Sequence, residues 1–408
     1  MSGCTRAALP GILLKKGKLV FTIQTLNKIS PLGLAVFPQE LYTVGDDVAN
    51  PDAILVRSAA LHDLEFGPNL KAIARAGAGV NNIPIDRCSE SGVVVFNTPG
   101  ANANSVKELV IAALLLSARD IQQGMQWVRD NATTPGLEKI VEKEKSRFAG
   151  TEILGKTLGV VGLGAIGVLV SNAAASLGMR VIGYDPFISV ASAWDLSRQI
   201  ERAQSLDHLL GQCDYVTLHV PLNDQTRNMI DAAGLARMKQ GATILNFARG
   251  GLVDEDALLA SLSSGQSGRY VTDFPNEKIA SHDHVLGIPH LGASTEEAED
   301  NCAVMAARQL RDYLENGTLT NAVNYPDCML AGTAPQRIVI ANRNIPNMVG
   351  QITTILAGHS INILDLLNRH RGDLAYNIID IEGDLPPDAI ERLNAIDGVI
   401  FVRTIPTL

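Results

Sequence analysis

Apolar and polar residues alternate along the first hundred positions in a way that predicts short strands separated by helices. The run FTIQTL is followed by GLAVF, AILVRS, KAIARAG and VVVFN, with polar helical stretches between them. Strands that alternate with helices are typical of βαβ units and a parallel sheet. We therefore predict a doubly wound α/β domain over 21–104, preceded by an unstructured extension over 1–20.

Two long helical patterns enclose a second series of strands. SVKELVIAALLLSARDIQQGMQWV predicts one long helix capped by Ser105, and STEEAEDNCAVMAARQLRDYLENG predicts another. Between them lie the β-rich runs TLGVVGL, RVIGYD, CDYVTLHV, ATILNFA, RYVTDF and VLGIPH. This pattern predicts a second doubly wound α/β domain over 105–297, after which 298–326 completes the first domain.

The end of the chain has a different order of elements. After YPDCMLAGTAPQ, which has the composition of a linker, the runs are RIVIAN, MVGQITTILAGH, INILDLLNR, AYNIIDIEG, PPDAIERLNAI and VIFVRTI. Their order is strand, helix, strand, strand, helix, strand. The segment 335–408 is therefore predicted to be a third, smaller domain.

Composition limits the partners of this chain. A length of 408 residues predicts two or three domains, and a net charge of −9 disfavours nucleic acid and membrane surfaces. The cysteines at 4, 88, 213, 302 and 328 show neither C-x-x-C nor zinc spacing, so we expect a reducing cytoplasm and no metal. No apolar run reaches the roughly 18 residues of a spanning helix, and no signal peptide is expected.

The stretch TLGVVGLGAIGVLVSNAAASLGMRVIGYD carries the strongest chemical signal. Gly162, Gly164 and Gly167 form G-x-G-x-x-G between a strand and a helix of small residues. The first glycine allows a tight turn, the second lets the backbone approach a pyrophosphate, and the third lets helix and strand pack closely. Asp185 ends the next strand, where an acid binds a ribose 2′-hydroxyl, and no Arg or Lys follows at once. NAD is therefore predicted rather than NADP.

Three ionisable residues follow later strands of the same domain. They are Arg249 in NFARGGLVDEDAL, Glu277 in VTDFPNE and His290 in VLGIPHLGAST. A planar guanidinium suits a carboxylate, and histidine titrates near neutral pH, as the base that oxidises an alcohol must. Taken alone, His290 has the alternative of a structural strand-end histidine, and Glu277 that of a solvated loop acid.

Together, VVGLGAIG, HVPL, NFARGGLVDEDAL and PHLGAST resemble the D-isomer-specific 2-hydroxyacid dehydrogenases, over nearly the whole chain from residue 21. The resemblance implies a flavodoxin-like substrate domain and a Rossmann-like NAD domain. It implies that Arg249 anchors the substrate's carboxylate and C2 oxygen. It also implies that His290 is the acid/base and that Glu277 orients and polarises its imidazole.

One departure from the family pattern lies beside these residues. The family commonly has aspartate two positions before the phenylalanine that matches Phe274, whereas here Thr272 stands there and Asp273 follows. The resemblance still implies a set of cofactor-binding residues. They are Gly162, Gly164, Ala165, Ile166, Gly167, Asp185, His219, Pro221, Thr226, Ala248, Asp273 and Gly292.

The first domain offers a second cation. Arg57 and Ser58 follow a strand in LVRSAAL, and the turn in RAGAGVNNIPID can receive a carboxylate at its N–H groups. Because Arg249 already serves one carboxylate, Arg57 suggests a second anion such as a phosphate, with a surface arginine as the alternative. The chain is similar to family members that oxidise 3-phosphoglycerate, which implies a set of substrate contacts. They are Arg57, Ser58, Ala78, Gly79, Asn81 and Lys145.

The tail resembles ACT domains, which bind small regulatory molecules. NRNIPNMVG and INIL match the effector loop and strand of serine-inhibited family members, which implies that Asn344 and Asn362 bind L-serine between subunits. Asn342 stands where a subset of those members has histidine. A tail that only dimerises is the alternative. Either way we expect a homo-oligomer, dimer or tetramer. Lys145 matches a lysine that in some family members reaches the neighbouring subunit's site, and a solvated surface lysine is the alternative.

The residues and the resemblance together imply a cytoplasmic, NAD-dependent oxidoreductase that converts 3-phospho-D-glycerate to 3-phosphohydroxypyruvate at the start of L-serine synthesis. Two alternatives within the family are a 4-phosphoerythronate dehydrogenase and a glyoxylate/hydroxypyruvate reductase. An NAD-sensing corepressor is the alternative outside enzymes. A compact ACT-like tail speaks against it, because corepressors of this fold carry partner-binding and disordered tails.

Overall fold

The chain is described by a computed structural model that covers residues 14–15, 18–332 and 334–405. It divides into two compact units, one of residues up to Ala101 together with those from Glu299 onward, and one spanning Asn102–Ala298. The predicted domain boundaries, at 104/105 and 297/298, fall near the boundaries of these two units, after Ala101 and after Ala298. They stay predictions. Within the described residues, no helix has both the length and the apolar character needed to cross a membrane.

The first unit contains a parallel sheet. Its elements are β3 (Phe21–Leu26), α1 (Pro31–Leu34), β4 (Tyr42–Gly45), β5 (Ala53–Val56), β6 (Ala72–Arg75), α2 (Ile85–Glu90), β7 (Val94–Phe96) and most of α11 (Glu296–Asn316). The five strands follow the order β4-β3-β5-β6-β7, with every neighbouring pair parallel. This is the flavodoxin-like order, in which the chain winds outward from β3 on both sides. The predicted fold class of the first domain is confirmed.

Two details near the start of the chain differ from prediction. A strand is predicted at 33–37, but α1 and a turn occupy most of it, because the Ser30 hydroxyl accepts the Leu32 N–H at 3.2 Å and Pro31 opens the helix. An unstructured extension is predicted ahead of the sheet. There the structure has a short antiparallel pair, β1 (Leu14–Lys15) with β2 (Lys18–Leu19). Residues 1–13 and 16–17 of the predicted extension lie outside the described residues.

The first unit also contains an antiparallel sheet. Its elements are β15 (Gln336–Arg343), α12 (Met348–Gly358), β16 (Ile363–Arg371), β17 (Leu374–Ile381), α13 (Pro387–Asn394) and β18 (Val399–Ile405). The strand order is β16-β17-β15-β18, which gives the βαββαβ arrangement that the sequence predicts and fits an ACT-like domain. Its two helices pack on one face through an apolar cluster that includes Ile338 and Ile352.

The other face of this antiparallel sheet belongs to the core of the parallel sheet. Val339 and Tyr376 lie in one apolar cluster with Phe96 of β7 and Tyr313 of α11. Tyr376 is fully buried, and its hydroxyl donates to the Gly317 carbonyl at 2.8 Å. The two sheets of the first unit therefore share a hydrophobic core.

The segment with linker composition is tied to this core. Tyr325 and Cys328 are buried. Arg337 forms a buried ion pair with Asp380 at 2.6 Å and donates to the Asn316 carbonyl at 3.2 Å, at the end of α11. The ACT-like domain is consequently held to α11 by buried polar contacts as well as by apolar ones.

The second unit contains a seven-stranded parallel sheet. Its strands are β8 (Thr157–Val161), β9 (Arg180–Tyr184), β10 (Glu201–Arg202), β11 (Tyr215–Leu218), β12 (Ala242–Asn246), β13 (Ser267–Thr272) and β14 (Val285–Gly287). Its helices are α3 (Ala103–Ala118), α4 (Ile121–Asp130), α5 (Leu137–Glu144), a 3-10 helix (Lys145–Phe148), α6 (Ala165–Ser176), α7 (Val190–Asp195), α8 (Leu206–Leu210), α9 (Ala232–Arg237) and α10 (Glu255–Ser263). The order β10-β9-β8-β11-β12-β13-β14 reverses direction beside β8, as in a Rossmann-like fold. This prediction is also confirmed.

The long helix predicted from Ser105 is two helices. The chain is extended at Arg119, with φ −129° and ψ 137°, which separates α3 from α4. Ser105 lies inside α3 rather than at its cap, and its buried hydroxyl donates to the Gly292 carbonyl at 2.8 Å. A serine that bonds a distant carbonyl cannot be distinguished from a helix cap by local pattern alone.

Candidate active site

The three glycines of the turn between β8 and α6 meet different surroundings. Gly162 has φ +91°, and a Cβ there would lie 2.6 Å from the His219 carbonyl oxygen. A Cβ at Gly167 would overlap the Gly162 carbonyl oxygen, whereas a Cβ at Gly164 would meet nothing within 4 Å. The turn is therefore closed at its first and third glycines and open at its second. Open backbone at a helix N-terminus is what a pyrophosphate requires, so the residues fit a dinucleotide.

Asp185 lies beside this turn. It follows β9, and its two carboxylate oxygens accept the N–H groups of Leu163 and Phe187, each at 2.8 Å. The acid predicted to bind a ribose hydroxyl is thus fixed against the first residue after Gly162. Ala165 and Ile166, also predicted to contact the cofactor, form the first turn of α6.

His219 follows β11 on the other side of the glycine turn. Its Nε2 lies 3.0 Å from the Thr217 hydroxyl, and its Nδ1 is buried without a hydrogen-bond partner among the described residues. Burial lowers the pKa of His219 to about 3, so its imidazole is neutral at pH 7. Nearby, the Thr226 hydroxyl donates to the Pro221 carbonyl at 2.6 Å. A neutral histidine here suits a place beside a cofactor better than proton transfer.

The three predicted catalytic residues lie at neighbouring strand ends. Arg249, Glu277 and His290 follow β12, β13 and β14, which are adjacent and parallel. All three are exposed. The structure therefore brings them to the edge of the sheet where ligands of parallel α/β proteins bind. Among the described residues, however, no hydrogen bond joins Glu277 to His290, which the predicted pairing would require.

Arg249 is held through its backbone, while its side chain is available. The carbonyl of Arg249 accepts a hydrogen bond from the Asn246 side-chain amide at 2.8 Å, and its own guanidinium donates to the Ala248 carbonyl at 2.6 Å. No acidic side chain in the described part of the chain forms an ion pair with Arg249. Its charge can therefore serve an external carboxylate.

His290 lies in an unusual backbone conformation. Its φ of +53° is in the left-handed region, which residues other than glycine seldom adopt. Its ring packs against that of Phe274, with centroids 4.8 Å apart. The next two N–H groups, of Leu291 and Gly292, both donate to the buried carboxylate of Asp273 at 2.8 Å. Asp273 is predicted to contact the cofactor, but its carboxylate already accepts two hydrogen bonds from the loop that carries His290.

In the first unit, Arg57 and Ser58 lie on the loop after β5. Arg57 pairs with Glu299 at 2.5 Å, with about two fifths of each side chain exposed (41% and 43%). The N–H groups of Ser58 and Ala59 donate to the Asn27 side-chain oxygen at 2.8 and 2.6 Å. Sequence reasoning did not find Glu299 or Asn27, because neither is near Arg57 in the chain.

A further arginine, Arg75, was missed although a signal for it exists. It ends β6, the strand next to β5, and its Nε donates to the Arg57 carbonyl at 3.1 Å. An arginine at the carboxyl end of a parallel strand is the same signal that singled out Arg57 and Arg249. Arg57 and Arg75 together place two guanidinium groups at one edge of the parallel sheet.

The turn predicted to receive a carboxylate follows Arg75. The Asn97 amide donates to the Ala78 carbonyl at 2.6 Å, and the Asn81 carbonyl lies 2.9 Å from His62 Nε2. Gly79 lies between these two anchored positions. The turn is thus held at the same edge of the sheet as the two arginines.

The predicted effector residues are apart within one chain. Asn344 donates to the carbonyl of Gly372, before β17, at 3.2 Å, whereas Asn362 donates to Glu382, after β17, at 3.1 Å. These contacts lie at opposite ends of β17, so one chain does not bring the two side chains together. Asn342 is buried and accepts a hydrogen bond from Asn377 at 2.7 Å within the sheet.

Lys145, predicted to reach a neighbouring subunit, lies at the start of the 3-10 helix. It is exposed and pairs with Glu142 at 2.5 Å, one helical turn earlier. Such an exposed pair adds little to stability, so the lysine remains available for another anion.

Comparison with known proteins agrees with this geometry. Residues 111–292 match the family model of the D-isomer specific 2-hydroxyacid dehydrogenase, NAD binding domain. The chain is 34% identical over 376 residues to D-3-phosphoglycerate dehydrogenase of Methanocaldococcus jannaschii, covering 88% of this chain and 68% of that protein. It is 39% identical over 289 residues to D-3-phosphoglycerate dehydrogenase of Mycobacterium bovis, covering 68% and 52%. The chain therefore spans about half to two thirds of the length of these relatives.

Among solved structures, the chain is similar to the NAD+-bound 3-phosphoglycerate dehydrogenase of Entamoeba histolytica. The TM-score is 0.59 at 26% identity, and the match covers 75% of this chain and 99% of that one.

Proposed function

The chain belongs to the D-isomer-specific 2-hydroxyacid dehydrogenases, with their NAD-binding domain, and from that membership we propose that it oxidises 3-phospho-D-glycerate to 3-phosphohydroxypyruvate. The observation that carries this substrate is the set of arginines at strand ends. Arg249 has no acidic partner among the described side chains. Arg57 lies beside Arg75, and a phosphate there would replace its exposed pair with Glu299. A hydroxyacid that also bears a phosphate has the two anions that these cations fit. The reaction would be the first step of L-serine synthesis in the cytoplasm.

In this proposal the chain's own residues bind the substrate and move one proton. Arg249 holds the carboxylate and the C2 oxygen, and Arg57 with Ser58 holds the phosphate. His290 removes the hydroxyl proton as C2 is oxidised, and the Glu277 carboxylate at the adjacent strand end stabilises the imidazolium that forms. NAD, when bound, supplies the acceptor for the hydride from C2.

The cofactor would be held by the glycine turn, Asp185 and the loop after β11. Gly164 gives the sharpest test, because its surroundings are open while those of Gly167 are closed. Gly164→Ala is expected to weaken NAD binding about tenfold, or about 1.4 kcal/mol, at unchanged melting temperature. Its φ of −78° is one that alanine adopts freely. Isothermal titration with NAD and thermal unfolding measure the two effects.

Gly167→Ala is the matched control for that change. Its added methyl would overlap the Gly162 carbonyl oxygen, so we expect a loss of about 1–3 kcal/mol in unfolding free energy. If Gly164→Ala binds NAD as tightly as the wild type does, the turn is not the pyrophosphate site.

We further propose that L-serine regulates the enzyme through the ACT-like domain. Because Asn344 and Asn362 lie by opposite ends of β17, a site that contains both needs two subunits. This supports a dimer or tetramer, which light scattering measures. Titrating L-serine into the activity assay tests the regulation. If L-serine changes neither the rate nor the melting temperature, the tail is a dimerisation module only.

A panel of substrates tests the proposed reaction. We expect kcat/KM for 3-phosphoglycerate with NAD to exceed that for D-glycerate by about a hundredfold, since a phosphate bound by charged hydrogen bonds is worth about 3 kcal/mol. Arg57→Gln should remove most of that preference without changing turnover of D-glycerate. The same arginines fit 4-phosphoerythronate, so faster turnover of that compound would reassign the substrate. Faster reduction of glyoxylate or hydroxypyruvate would contradict a phosphate subsite.

A further inference from the structure

The end of β13 is where this chain departs from the family pattern, and both residues there are buried. Thr272 is 0% and Asp273 is 1% exposed. Asp273 accepts two backbone N–H groups, from Leu291 and Gly292, at 2.8 Å each. Both oxygens of the carboxylate are therefore bonded by the two residues that follow His290.

The end of the neighbouring strand β12 carries a second buried polar residue. Asn246 is 0% exposed, and every polar atom of its amide is used. Its Oδ1 accepts the Ala248 N–H at 3.2 Å, and its Nδ2 donates to the Arg249 carbonyl at 2.8 Å and to the Tyr270 hydroxyl at 3.0 Å. Asn246 thus holds the backbone on which Arg249 is carried.

These two supports are joined to each other. The Asp273 N–H donates to the Asn246 carbonyl at 3.1 Å. The Thr272 hydroxyl accepts the Phe274 N–H at 3.0 Å, and the Phe274 ring packs on His290. A continuous set of contacts therefore runs from the Arg249 backbone to the His290 ring.

We propose that Asp273 and Asn246 are positioning residues that together set the separation of His290 and Arg249. Asp273 fixes the backbone after His290, and Asn246, supported by Tyr270, fixes the backbone of Arg249. Asp273 accordingly acts through His290 and does not bind the cofactor directly. The inference rests on the proposed function, because it takes His290 and Arg249 as the acid/base and the substrate-binding group.

Two observations explain why such supports are needed. His290 and Arg249 are exposed, so apolar packing fixes neither side chain fully. The left-handed backbone at His290 persists only where its surroundings hold it, and two hydrogen bonds to a buried carboxylate do so. Displacing a reacting group by about 1 Å can cost about a hundredfold in rate.

Asp273→Asn and Tyr270→Phe test the two halves of the proposal in the full chain. Asparagine has one acceptor oxygen, so when that oxygen accepts one of the two N–H groups, its amide hydrogens face the other. The loop after His290 would lose one of its two supports, and we expect kcat to fall at least tenfold. The NAD dissociation constant should stay within twofold. Tyr270→Phe removes the partner of the Asn246 amide, so the KM for the hydroxyacid should rise threefold to tenfold with kcat and NAD binding nearly unchanged.

Tyr215→Phe is the control, because Tyr215 is a similarly buried tyrosine in the same sheet (6% against 4% exposed for Tyr270) and lies at the start of β11. It should leave all three constants unchanged. General loosening of the fold would lower kcat and raise both KM and the NAD dissociation constant in each variant. It would not confine the kcat effect to Asp273→Asn and the KM effect to Tyr270→Phe. If Asp273→Asn does not fold, Asp273→Ser, which leaves room for water between the N–H groups, replaces it.

Two results would overturn the inference. If Asp273→Asn weakens NAD binding by the same factor as it lowers kcat/KM, Asp273 contacts the cofactor. If both variants match Tyr215→Phe, the buried set has no positioning role. NAD titration needs no turnover, so it decides whether Asp273 contacts the cofactor even if the wild type oxidises no hydroxyacid. A wild type that oxidises no hydroxyacid would contradict the proposed function and not this inference.

Discussion

His290→Gln is expected to lower kcat by about a thousandfold, within the range for loss of a general acid/base. Glutamine has a similar length and can form a hydrogen bond, but it cannot take the hydroxyl proton. Because the His290 ring is exposed and packs only on Phe274 among the described aromatic rings, the fold and NAD binding should be retained. Steady-state kinetics with 3-phosphoglycerate and an NAD titration give the two measurements.

The control for this change is His208→Gln. His208 lies on α8, and its ring bonds Gln212 on the surface, so its replacement should leave kcat unchanged. A His290→Gln enzyme with more than a tenth of wild-type turnover would mean that another group takes the proton. A parallel loss of NAD binding would mean that His290 has mainly a structural role.

Arg249→Lys is expected to lower kcat/KM for the hydroxyacid by about a hundredfold, and Arg249→Ala by about ten-thousandfold. The guanidinium binds a carboxylate through two charged hydrogen bonds, each worth about 1.5–3 kcal/mol. Lysine keeps the charge but loses the planar pair of donors, whereas alanine loses both. The backbone of Arg249 remains held by Asn246 in each variant, so the thermal stability should change little.

Exogenous guanidinium distinguishes this role from a general effect. It should restore part of the activity of Arg249→Ala and none of the activity of His290→Gln. The loss at Arg249 should also be the same for phosphorylated and unphosphorylated hydroxyacids, in contrast to that at Arg57. A loss confined to phosphorylated substrates would exchange the proposed roles of the two arginines.

The pattern of residues close together in the chain was enough to predict several parts of this fold. The strands, the glycine turn and the acid after β9 depend on residues close together in the chain. The interpretation of Ser105 as a helix cap was wrong, since its partner is the carbonyl of Gly292. The strand predicted at 33–37 was wrong because a capping serine and a proline outweighed the apolar run.

Sequence reasoning also found the strand ends that carry the proposed catalytic residues, but it did not find the residues that hold them. Arg249 and His290 follow recognisable motifs, whereas Asn246 bonds the Tyr270 side chain on the next strand, and this contact exists only after the sheet forms. The pairing of Arg57 with Glu299 was out of reach for the same reason. At Asp273 the sequence showed that the family pattern changes, but only the structure shows that the carboxylate holds the loop of His290.

The core common to the two sheets of the first unit has a consequence for how this chain can be divided. A regulatory domain on a flexible tether can be gained, lost or exchanged by recombination with little effect on the remaining protein. Here Val339 and Tyr376 complete the same core as Phe96 and Tyr313. Deleting or exchanging the ACT-like segment would expose that core, so we expect the parallel sheet of the unit that carries Arg57 to lose stability when the segment is removed.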